Sequence, residues 1–441
     1  MKYTLLKEAR FPDPEKGKIF PCDLLIEKEE ESGKGRIAAM RRQISSEEVK
    51  KLTGENPVSL LPSRKMTVLP ALTDLNCHLG DPGYPQREDT ESGTRAAVWG
   101  GYGNIVSLPD TLPVTDRAPV VRQIREKAGR IGLCRVLPIA SLTIGRQGRV
   151  PVDFAALREA GAVAFSDDGM PLTDLSLLRQ ILLTGKEEDF LVMLDCSDRS
   201  LARDGAVGEG KMSSFLKAGG IPKSAETVRL AQGIMLAWET GCRVHFSHIS
   251  LKESVSLLRF AKSEGIRVTA DTCPHYFAFT EDDLVYYGTN AKTLPPLRRR
   301  EDVEAVIGGL RDGTIDAVSS GHTPRTKNEK GKAFGSGEFG VSSLQTALPA
   351  GLTYLVRTGW IDLPSLVRLY AEKPAKILGL AENGTGRLKE GGPADLVLVD
   401  TEKEILVTES FLKGKSTNTP FLGLTLFGRV EGVFLDGERR V

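Results

Sequence analysis

The sequence predicts an α/β protein in which a closed (β/α)8 barrel carries a small β-sandwich domain. Three observations predict this fold. Eight short apolar or β-branched runs alternate with amphipathic stretches in the middle of the chain. Both ends instead contain strand-length pieces separated by glycine and charged residues. The length of 441 residues suits one large barrel with an accessory domain.

The strands of the expected barrel are short runs, most of them followed by a polar or glycine-rich loop. They occupy residues 66–71, 104–108, 134–139, 162–165, 190–194, 242–246, 266–270 and 315–319. Eight such strands favour closure into a barrel. The alternative, an open doubly wound sheet, normally has a glycine-rich phosphate turn after its first strand. The first loop here is LNCHLGDPGYP instead.

Two of the intervening helices are predicted directly by their patterns. Residues 250–263 form one, and Ser250 followed by Glu253 has the spacing of a capping box. The other helix is residues 224–240, whose apolar face consists of Val228, Leu230, Ala231, Ile234, Met235 and Ala237.

The charged segment 327–332, KNEKGK, is expected to be a solvated turn.

The two ends of the chain are expected to pair with each other. Residues 1–65 carry short alternating runs, and the C-terminal segment contains ADLVLVD, EILVTE and VEGVFLDGERRV. Two β-rich ends that flank a barrel would most simply form one sheet domain. We therefore expect a β-sandwich domain made of residues 1–65 and 386–441 around a barrel of residues 66–385.

Composition excludes several classes of protein. Lys and Arg number 59 and Asp and Glu 58, so a net charge of +1 predicts no attraction to nucleic acid or to an anionic membrane. No apolar stretch reaches the length of a membrane span or signal peptide. The six cysteines include no C-x-x-C pair, so we expect buried, reduced thiols in a cytoplasmic protein.

Residues at the carboxyl ends of barrel strands do the chemistry in this architecture. Zinc prefers imidazole and thiolate ligands, and carboxylates supplement them. The candidates from residue type alone are His78, His248 and one aspartate of the pair Asp167 and Asp168. His245 lies inside the sixth strand and is expected to be a hydrogen-bonded structural imidazole. The chain has only five histidines in all: His78, His245, His248, His275 and His322.

Motifs along nearly the whole chain resemble those of type I dihydroorotases, in the amidohydrolase superfamily. The matching segments are DLNCHLGDPG, EDTESGTRAAVWGGY, LPDTLP, FSDDG, HFSHIS, NAKTLPPLR, DGTIDAVSSGHTP with a following EK, KPAKILGL, GGPADLVLVD and NTPFLG. The resemblance implies a metallo-hydrolase barrel with a sandwich domain built from both ends of the chain. It also implies a place in de novo pyrimidine biosynthesis.

The resemblance implies six metal-site positions, of which three keep the family's residue. The second histidine of the family's D-x-H-x-H motif is His78, and the H-x-S histidine is His248. The aspartate of the DDG segment is Asp167 or Asp168.

The other three metal-site positions are changed. The first histidine of the family motif is replaced by Asn76, and the histidine after strand five by Asp195. The strand-eight aspartate, which the family uses as general base and metal ligand, is Gly321. The resemblance therefore implies no catalytic residue at this position.

The four positions that bind substrate in the family are also substituted. The arginine that would grip the substrate carboxylate is Gly80, and the asparagine of M-P-N-T is Asp110. The asparagine of N-P-P-L-R is Leu294, and the histidine that follows A-P is Arg325. An aspartate at position 110 would repel a carboxylate rather than bind it.

Opening or closing a cyclic amide needs a metal-activated water, a base and a clamp for the substrate carboxylate. The substitutions predict a catalytically inactive, dihydroorotase-like protein without a bound metal. The alternative is an active dihydroorotase or another cyclic amidohydrolase with an unusual single-metal site. Its ion would be zinc or an oxygen-preferring ion such as manganese or magnesium, held by Asn76, His78, the DDG aspartate, Asp195 and His248.

The resemblance also implies a partner. Some dihydroorotase-like chains that lack metal ligands assemble with aspartate transcarbamoylase and stabilise or regulate it. We therefore expect a structural or regulatory subunit of that enzyme, bound to its catalytic chain in a homo- or hetero-oligomer.

Overall fold

A computed structural model describes all 441 residues and contains two eight-stranded sheets and one two-stranded ribbon. The strands are β1 Lys2–Asp13, β2 Lys18–Lys28, β3 Gly35–Arg41, β4 Val58–Pro62, β5 Thr67–Pro70, β6 Leu72–Asp74, β7 Tyr102–Ser107, β8 Arg135–Ala140, β9 Ala164–Phe165, β10 Val192–Asp195, β11 Val207–Gly208, β12 Gly220–Ile221, β13 Val244–Ser247, β14 Val268–Thr272, β15 Ala317–Val318, β16 Leu396–Leu406, β17 Thr425–Leu435 and β18 Glu438–Arg439.

Sixteen α-helices connect or flank these strands, and short 3-10 and π-helical turns supplement them. The α-helices are α1 Ser46–Thr53, α2 Thr90–Trp99, α3 Ala118–Ile131, α4 Phe154–Ala160, α5 Leu175–Glu187, α6 Arg199–Ala202, α7 Lys211–Phe215, α8 Ser224–Thr240, α9 Lys252–Ser263, α10 Pro274–Ala278, α11 Leu284–Tyr287, α12 Arg300–Asp312, α13 Lys327–Lys330, α14 Ala347–Gly351, α15 Leu363–Val367 and α16 Lys373–Ile377.

One sheet is the parallel barrel. Its strands lie in the order β15-β14-β13-β10-β9-β8-β7-β6, which is their order along the chain. The first and last strands meet just beyond their ends, where Cys77 and His322 form a parallel bridge and the His78 amide donates to the His322 carbonyl at 2.8 Å. The Ser320 amide also donates to the buried Asp74 carboxylate at 2.6 Å. The predicted α/β barrel fold is confirmed.

The first barrel strand lies later in the chain than predicted. The run 66–71 supplies β5, which pairs antiparallel with β16 and parallel with β1 in the other sheet, and β6 begins the barrel at Leu72. Val68 and Leu69 point into different cores, the first into that of the antiparallel sheet and the second into that of the barrel. Hydrophobic periodicity cannot divide MTVLPALTD, because both strands are fully buried.

The second sheet joins the two ends of the chain. Its path is β18-β17-β16-β5-β1-β2-β3, with β4 pairing with β1. Its own core includes Leu6, Leu24, Ile37 and Phe434, and it is separate from the 80-residue core of the barrel. The exact division into residues 1–65 with 386–441 and residues 66–385 stays a prediction.

The two predicted helices form, with differences in detail. Helix α8 spans Ser224–Thr240 and buries Leu230, Ile234 and Ala237, whereas Val228 and Met235 are 41% and 56% exposed. The apolar face was therefore predicted too wide. Helix α9 begins at Lys252, and its expected capping box is absent.

Ser250 does not cap helix α9 because a buried acidic side chain captures it. Its hydroxyl donates to Glu226, which Arg298 also contacts at 3.3 Å. All six cysteines are free and buried, in agreement with the prediction of reduced thiols. No helix has the length and apolar character needed to cross a membrane.

Candidate functional site

A cavity of about 260 Å³ lies at the carboxyl ends of the barrel strands. Its wall combines former ligand positions, two arginines and a loop formed by residues 331–341. The polar and charged side chains in the wall belong to Asn76, His78, Asp168, Asp195, Arg199, His248, His275, Tyr276, Thr293, Thr323, Arg325 and Glu338. The cavity is thus polar, and it carries charges of both signs.

His78 follows β6 and lies between two carboxylates. Its Nδ1 is 2.8 Å from Asp110 Oδ2, and its Nε2 is 3.5 Å from Asp168 Oδ2. Burial lowers the pKa of His78, but the charges of Asp110 and Asp168 outweigh burial and raise that pKa overall. Burial alone would raise the pKa of Asp110, but the charge and the hydrogen bond of His78 lower the pKa of Asp110 to about 2. The two residues form an ion pair.

The two aspartates of the DDG segment have different roles. Asp167 accepts hydrogen bonds from the Leu142 and Thr143 amides at 2.8 and 3.2 Å and from the Thr143 hydroxyl at 2.5 Å. These contacts use both of its oxygens to hold the loop after β8. Asp168 lines the cavity and faces His78. Asp168 is therefore the aspartate that reaches the barrel mouth.

Asp195 and His248 also line the cavity. Asp195 accepts a hydrogen bond from the Gly169 amide at 3.1 Å, and burial and the charge of Asp168 raise its pKa. His248 has a left-handed backbone with φ of +61°, a conformation that non-glycine residues seldom adopt. Its amide donates to Asp271 at 2.8 Å, and its Nδ1 is buried without a hydrogen-bond partner.

His275 adds a third imidazole to the cavity wall. Burial, and then the nearby His248, lower the pKa of His275 to about 3, so its ring is neutral at physiological pH. Its Nδ1 is also buried without a partner. The strand-end rule finds this residue, because it follows the seventh strand, although no metal role was expected for it.

Asn76 and Gly321 occupy changed ligand positions next to these histidines. Asn76 is 1% exposed, and neither its Oδ1 nor its Nδ2 has a hydrogen-bond partner. Gly321 has a φ of +63°, and a Cβ added there would lie 2.6 Å from Cys273 Sγ and 3.0 Å from His275 Cε1. The space that a strand-eight side chain would need is therefore filled by its neighbours.

Two of the four former substrate positions line the cavity, namely Leu294 and Arg325. The Arg325 Nε donates to the Phe339 carbonyl at 2.9 Å. Gly80 has a φ of +63° beside Tyr84, and a Cβ added there would meet the Tyr84 Cβ at 3.2 Å. Asp110 contributes only through its ion pair with His78.

The remaining histidines are held by hydrogen bonds within the protein. His245 Nδ1 is 2.9 Å from the Thr269 hydroxyl, and its Nε2 is 3.1 Å from Asp271. His322 Nδ1 accepts from the Ser343 amide at 3.1 Å, and its Nε2 lies 3.5 Å from Glu88. These contacts give both rings structural roles.

Comparisons with known proteins identify the family. Residues 65–254 match a family described as dihydro-orotase-like. The dihydroorotase of Thermoanaerobacter sp. (strain X514) is 42% identical over 371 residues, which cover 84% of this chain and 85% of that protein. The dihydroorotase of Syntrophus aciditrophicus (strain SB) is 38% identical over 434 residues and 98% of each chain. The chain belongs to the dihydroorotase family.

Solved structures extend the likeness in fold beyond this family. The L-hydantoinase (dihydropyrimidinase) from Arthrobacter aurescens superposes with a TM-score of 0.86 over 99% of this chain and 95% of that one, at 24% sequence identity. The dihydropyrimidinase from Brevibacillus agri gives a TM-score of 0.82 at 19% identity. The dihydroorotase-family chain therefore has the hydantoinase barrel fold.

The mouth of this dihydroorotase-family chain does not fit the metal centre that its resemblance implies. No group of three or more His, Cys, Asp or Glu side chains is arranged to hold a metal ion. The charges of Asp110 and Asp168 favour the protonated form of His78, which competes with metal binding, and the oxygens of Asp167 are used by the loop after β8. The strand-eight position has no side chain, and the space for one is filled.

Several residues that line the cavity of this chain, or hold its wall in place, were not predicted from the sequence. Arg146 donates to the Asp168 carbonyl, and Arg199 donates to the Gly169 carbonyl, so both hold the DDG segment. Glu338 and Phe339 enter the wall from the loop 331–341. A strand-end rule cannot find Glu338 and Phe339, because both lie far from any barrel strand in the sequence. Arg146 and Arg199 follow β8 and β10, but arginine was not among the residue types expected to bind a metal.

Proposed function

We propose that this chain is a non-catalytic dihydroorotase-family protein of de novo pyrimidine biosynthesis. It acts as a cytoplasmic structural or regulatory subunit of aspartate transcarbamoylase. The observation that carries the proposal is Gly321, which stands where the family has its general base. The neighbouring Cys273 and His275 fill the space that such a side chain would need.

The energetics of hydrolysis support the loss of activity. Removing a general base costs about 10²- to 10⁴-fold in rate. Removing the metal ligands also removes the nucleophile, because the pKa of unbound water is about 15.7, compared with about 7 on zinc. The two losses compound, and the charge of Asp110 favours the protonated form of His78, which competes with metal binding.

The intact scaffold supports a role in assembly. The barrel keeps a continuous core of 80 buried residues, and the chain ends still form their own sheet. The departures from the family pattern lie at the mouth instead, at Asn76, Asp195 and Gly321. The choice of aspartate transcarbamoylase as partner rests on the family resemblance.

Co-elution tests the subunit role directly. The full chain and the aspartate transcarbamoylase catalytic chain from the same cell are mixed at micromolar concentration and separated by size exclusion. We expect one complex and a changed transcarbamoylase activity. Each protein alone and an unrelated protein of similar mass serve as controls. Separate elution with unchanged activity would overturn the subunit role.

A second candidate function is a cyclic amidohydrolase with a single divalent metal. It is favoured by the unpartnered atoms of Asn76 and His248 in the cavity and by the dihydroorotase names of the relatives. A manganese titration followed by electron paramagnetic resonance separates the two candidates. This second function predicts one bound equivalent that is lost in His248→Ala, whereas the non-catalytic proposal predicts no tight equivalent.

A further inference from the structure

Three cationic side chains gather around the loop 331–341, beside the barrel mouth. Lys292 and Lys330 are 2% and 5% exposed, and Arg325 is half-buried. Their charged groups donate to main-chain carbonyls and make no ion pair. The Lys330 ammonium donates to the Glu338 and Gly340 carbonyls at 2.8 and 3.0 Å. The Lys292 ammonium donates to the Phe334 and Gly335 carbonyls at 2.8 and 3.0 Å.

Residues 327–332 were predicted to form a solvated charged turn, and most of them are exposed, but residues 327–330 form helix α13 and Lys330 is buried. The Lys330 side chain points inward, where its ammonium group donates to the Glu338 and Gly340 carbonyls of the loop. Proteins seldom bury lysine and arginine without a counter-charge, since desolvation of an unpaired charge is costly. In this cluster, main-chain carbonyls are the hydrogen-bond acceptors of all three charged groups, and no carboxylate lies within ion-pair distance of them.

The charged groups that face Lys330 are Arg325, Lys292, Glu338 and Glu329. Burial, and then the like charges of Arg325 and Lys292, lower the pKa of Lys330 to about 7. The charges of the two glutamates raise the pKa of Lys330, but by less than burial and the like charges lower it. Glu329 is already paired with Arg87, whose Nε lies 2.8 Å from its Oε1.

A second cavity of about 530 Å³ is lined by two of these three cations, Arg325 and Lys330. Four cationic residues line it, and Glu409 is the single carboxylate in its wall. Glu409 pairs with Lys327 at 2.9 Å. Lys415 pairs with Asp89. Arg325 and Lys330 are therefore left as the cationic residues in the wall without an acidic partner.

We propose that this cavity binds a dianion of the phosphate class, either inorganic phosphate or a phosphate ester. Arg325 supplies the planar guanidinium donors that match such an anion, and Lys330 supplies its third N–H. Asn290, which also lines the cavity, adds an amide donor. This inference goes beyond the proposed function and does not depend on it.

Calorimetry with inorganic phosphate tests the site. The full chain is titrated at pH 7.5 in a low-salt buffer, alongside Arg325→Gln and Arg179→Gln. The control removes the same charge from an exposed arginine that pairs with Glu239 on α8. We expect the wild type to bind phosphate with a dissociation constant on the order of 1 mM or lower. The affinity should fall by at least about tenfold in Arg325→Gln and should not change in Arg179→Gln. No binding by the wild type, or equal binding by Arg325→Gln, would overturn the proposal.

A proton-linkage measurement keeps the test decisive if one variant folds poorly. Sulfate is the probe, because it does not titrate near neutral pH. A bound dianion favours charged Lys330 and raises its pKa, so binding at pH 7.5 takes up part of a proton. The uptake is read from calorimetry in Hepes and in Tris, which differ in ionisation enthalpy. Uptake should vanish in Lys330→Met, and unchanged uptake there would contradict the assignment.

A titration with a nucleoside monophosphate distinguishes the two sources of phosphate. Tighter binding than inorganic phosphate supports an ester as the ligand, and equal or weaker binding supports the free ion. Binding of neither, with a folded wild-type protein, overturns the proposal. Because none of these readouts involves dihydroorotate or the transcarbamoylase, failure here leaves the proposed function untouched.

Discussion

The imidazole of His78 and the carboxylate of Asp110 form an ion pair, with Nδ1 2.8 Å from Oδ2. In the dihydroorotase pattern the histidine is a metal ligand and position 110 is an asparagine. Here an added negative charge engages the retained histidine, and Asp168 approaches its other nitrogen at 3.5 Å. The charge of Asp110 thus favours the protonated form of His78, and protonation competes with metal binding, because a protonated imidazole has no lone pair for a metal.

The ion pair predicts the titration of His78. In Asp110→Asn the pKa of His78 should fall by about one unit or more, because the main charge that raises it is removed. The measurement is NMR of protein labelled at histidine, which is tractable with five rings. Asp312→Asn, which removes a surface carboxylate paired with Arg259, serves as the control. An unchanged His78 titration in Asp110→Asn would refute the pairing.

The filled strand-eight position predicts the cost of restoring a carboxylate. Gly321→Asp should lower the free energy of unfolding by about 1–3 kcal/mol more than Gly379→Asp does. Both glycines have positive φ, but only Gly321 has neighbours within 4 Å of an added Cβ. Thermal unfolding measures the difference. Equal losses would mean that the mouth still accepts a ligand side chain, and the non-catalytic account would lose its main support.

The DDG segment predicts different outcomes for its two aspartates. Asp167→Asn should destabilise the protein by about 1–3 kcal/mol, because it weakens three hydrogen bonds in a buried loop. Asp168→Asn should leave stability nearly unchanged and lower the pKa of His78. Urea unfolding and histidine NMR on both variants check this. The reverse pattern would show that the aspartate roles are exchanged.

Asp23 predicts a pH dependence in the sheet that joins the chain ends. Burial raises its pKa, but hydrogen bonds from the Glu8 and Ile44 amides and from Lys7 outweigh burial and lower it overall. A lowered folded-state pKa gives stability that is present above the unfolded value of 3.8 and is lost as the pH falls through the folded value. Asp23→Asn should therefore cost about 1.5–3 kcal/mol at pH 7, and this cost should fall as the pH is lowered below 3.8. Urea unfolding at pH 7 and below pH 3.8 measures it, and a constant difference would contradict the assignment.

The sequence was sufficient for the barrel, because eight apolar runs alternate with helices and the first loop lacks the glycine-rich turn of an open doubly wound sheet. It was not sufficient to divide 66–74 between two sheets, because Val68 and Leu69 are both fully buried and differ only in the core that they enter. The predicted width of the α8 apolar face was wrong for a related reason, since Val228 and Met235 match the helical period but are exposed.

At the site, motif positions identified Asn76, His78, the pair Asp167 and Asp168, Asp195 and His248, and the structure brings all of these except Asp167 to one cavity. The contacts that decide their chemistry come from elsewhere in the chain. The contact of Arg146 with the Asp168 carbonyl and the position of the loop 331–341 in the cavity wall depend on tertiary structure, so no local sequence pattern predicts them. The burial of Lys330 was missed because its charged neighbours in sequence resemble a surface turn.

The absence of catalysis is the central claim, and one measurement tests it most directly. The purified full chain is supplied with one equivalent of zinc or manganese and assayed in both directions with dihydroorotate and carbamoyl-aspartate. The Thermoanaerobacter dihydroorotase, 42% identical, is the control under the same conditions. The account predicts substoichiometric metal by mass spectrometry and no turnover above buffer, while the control turns over. Stoichiometric metal with turnover by this chain would contradict it.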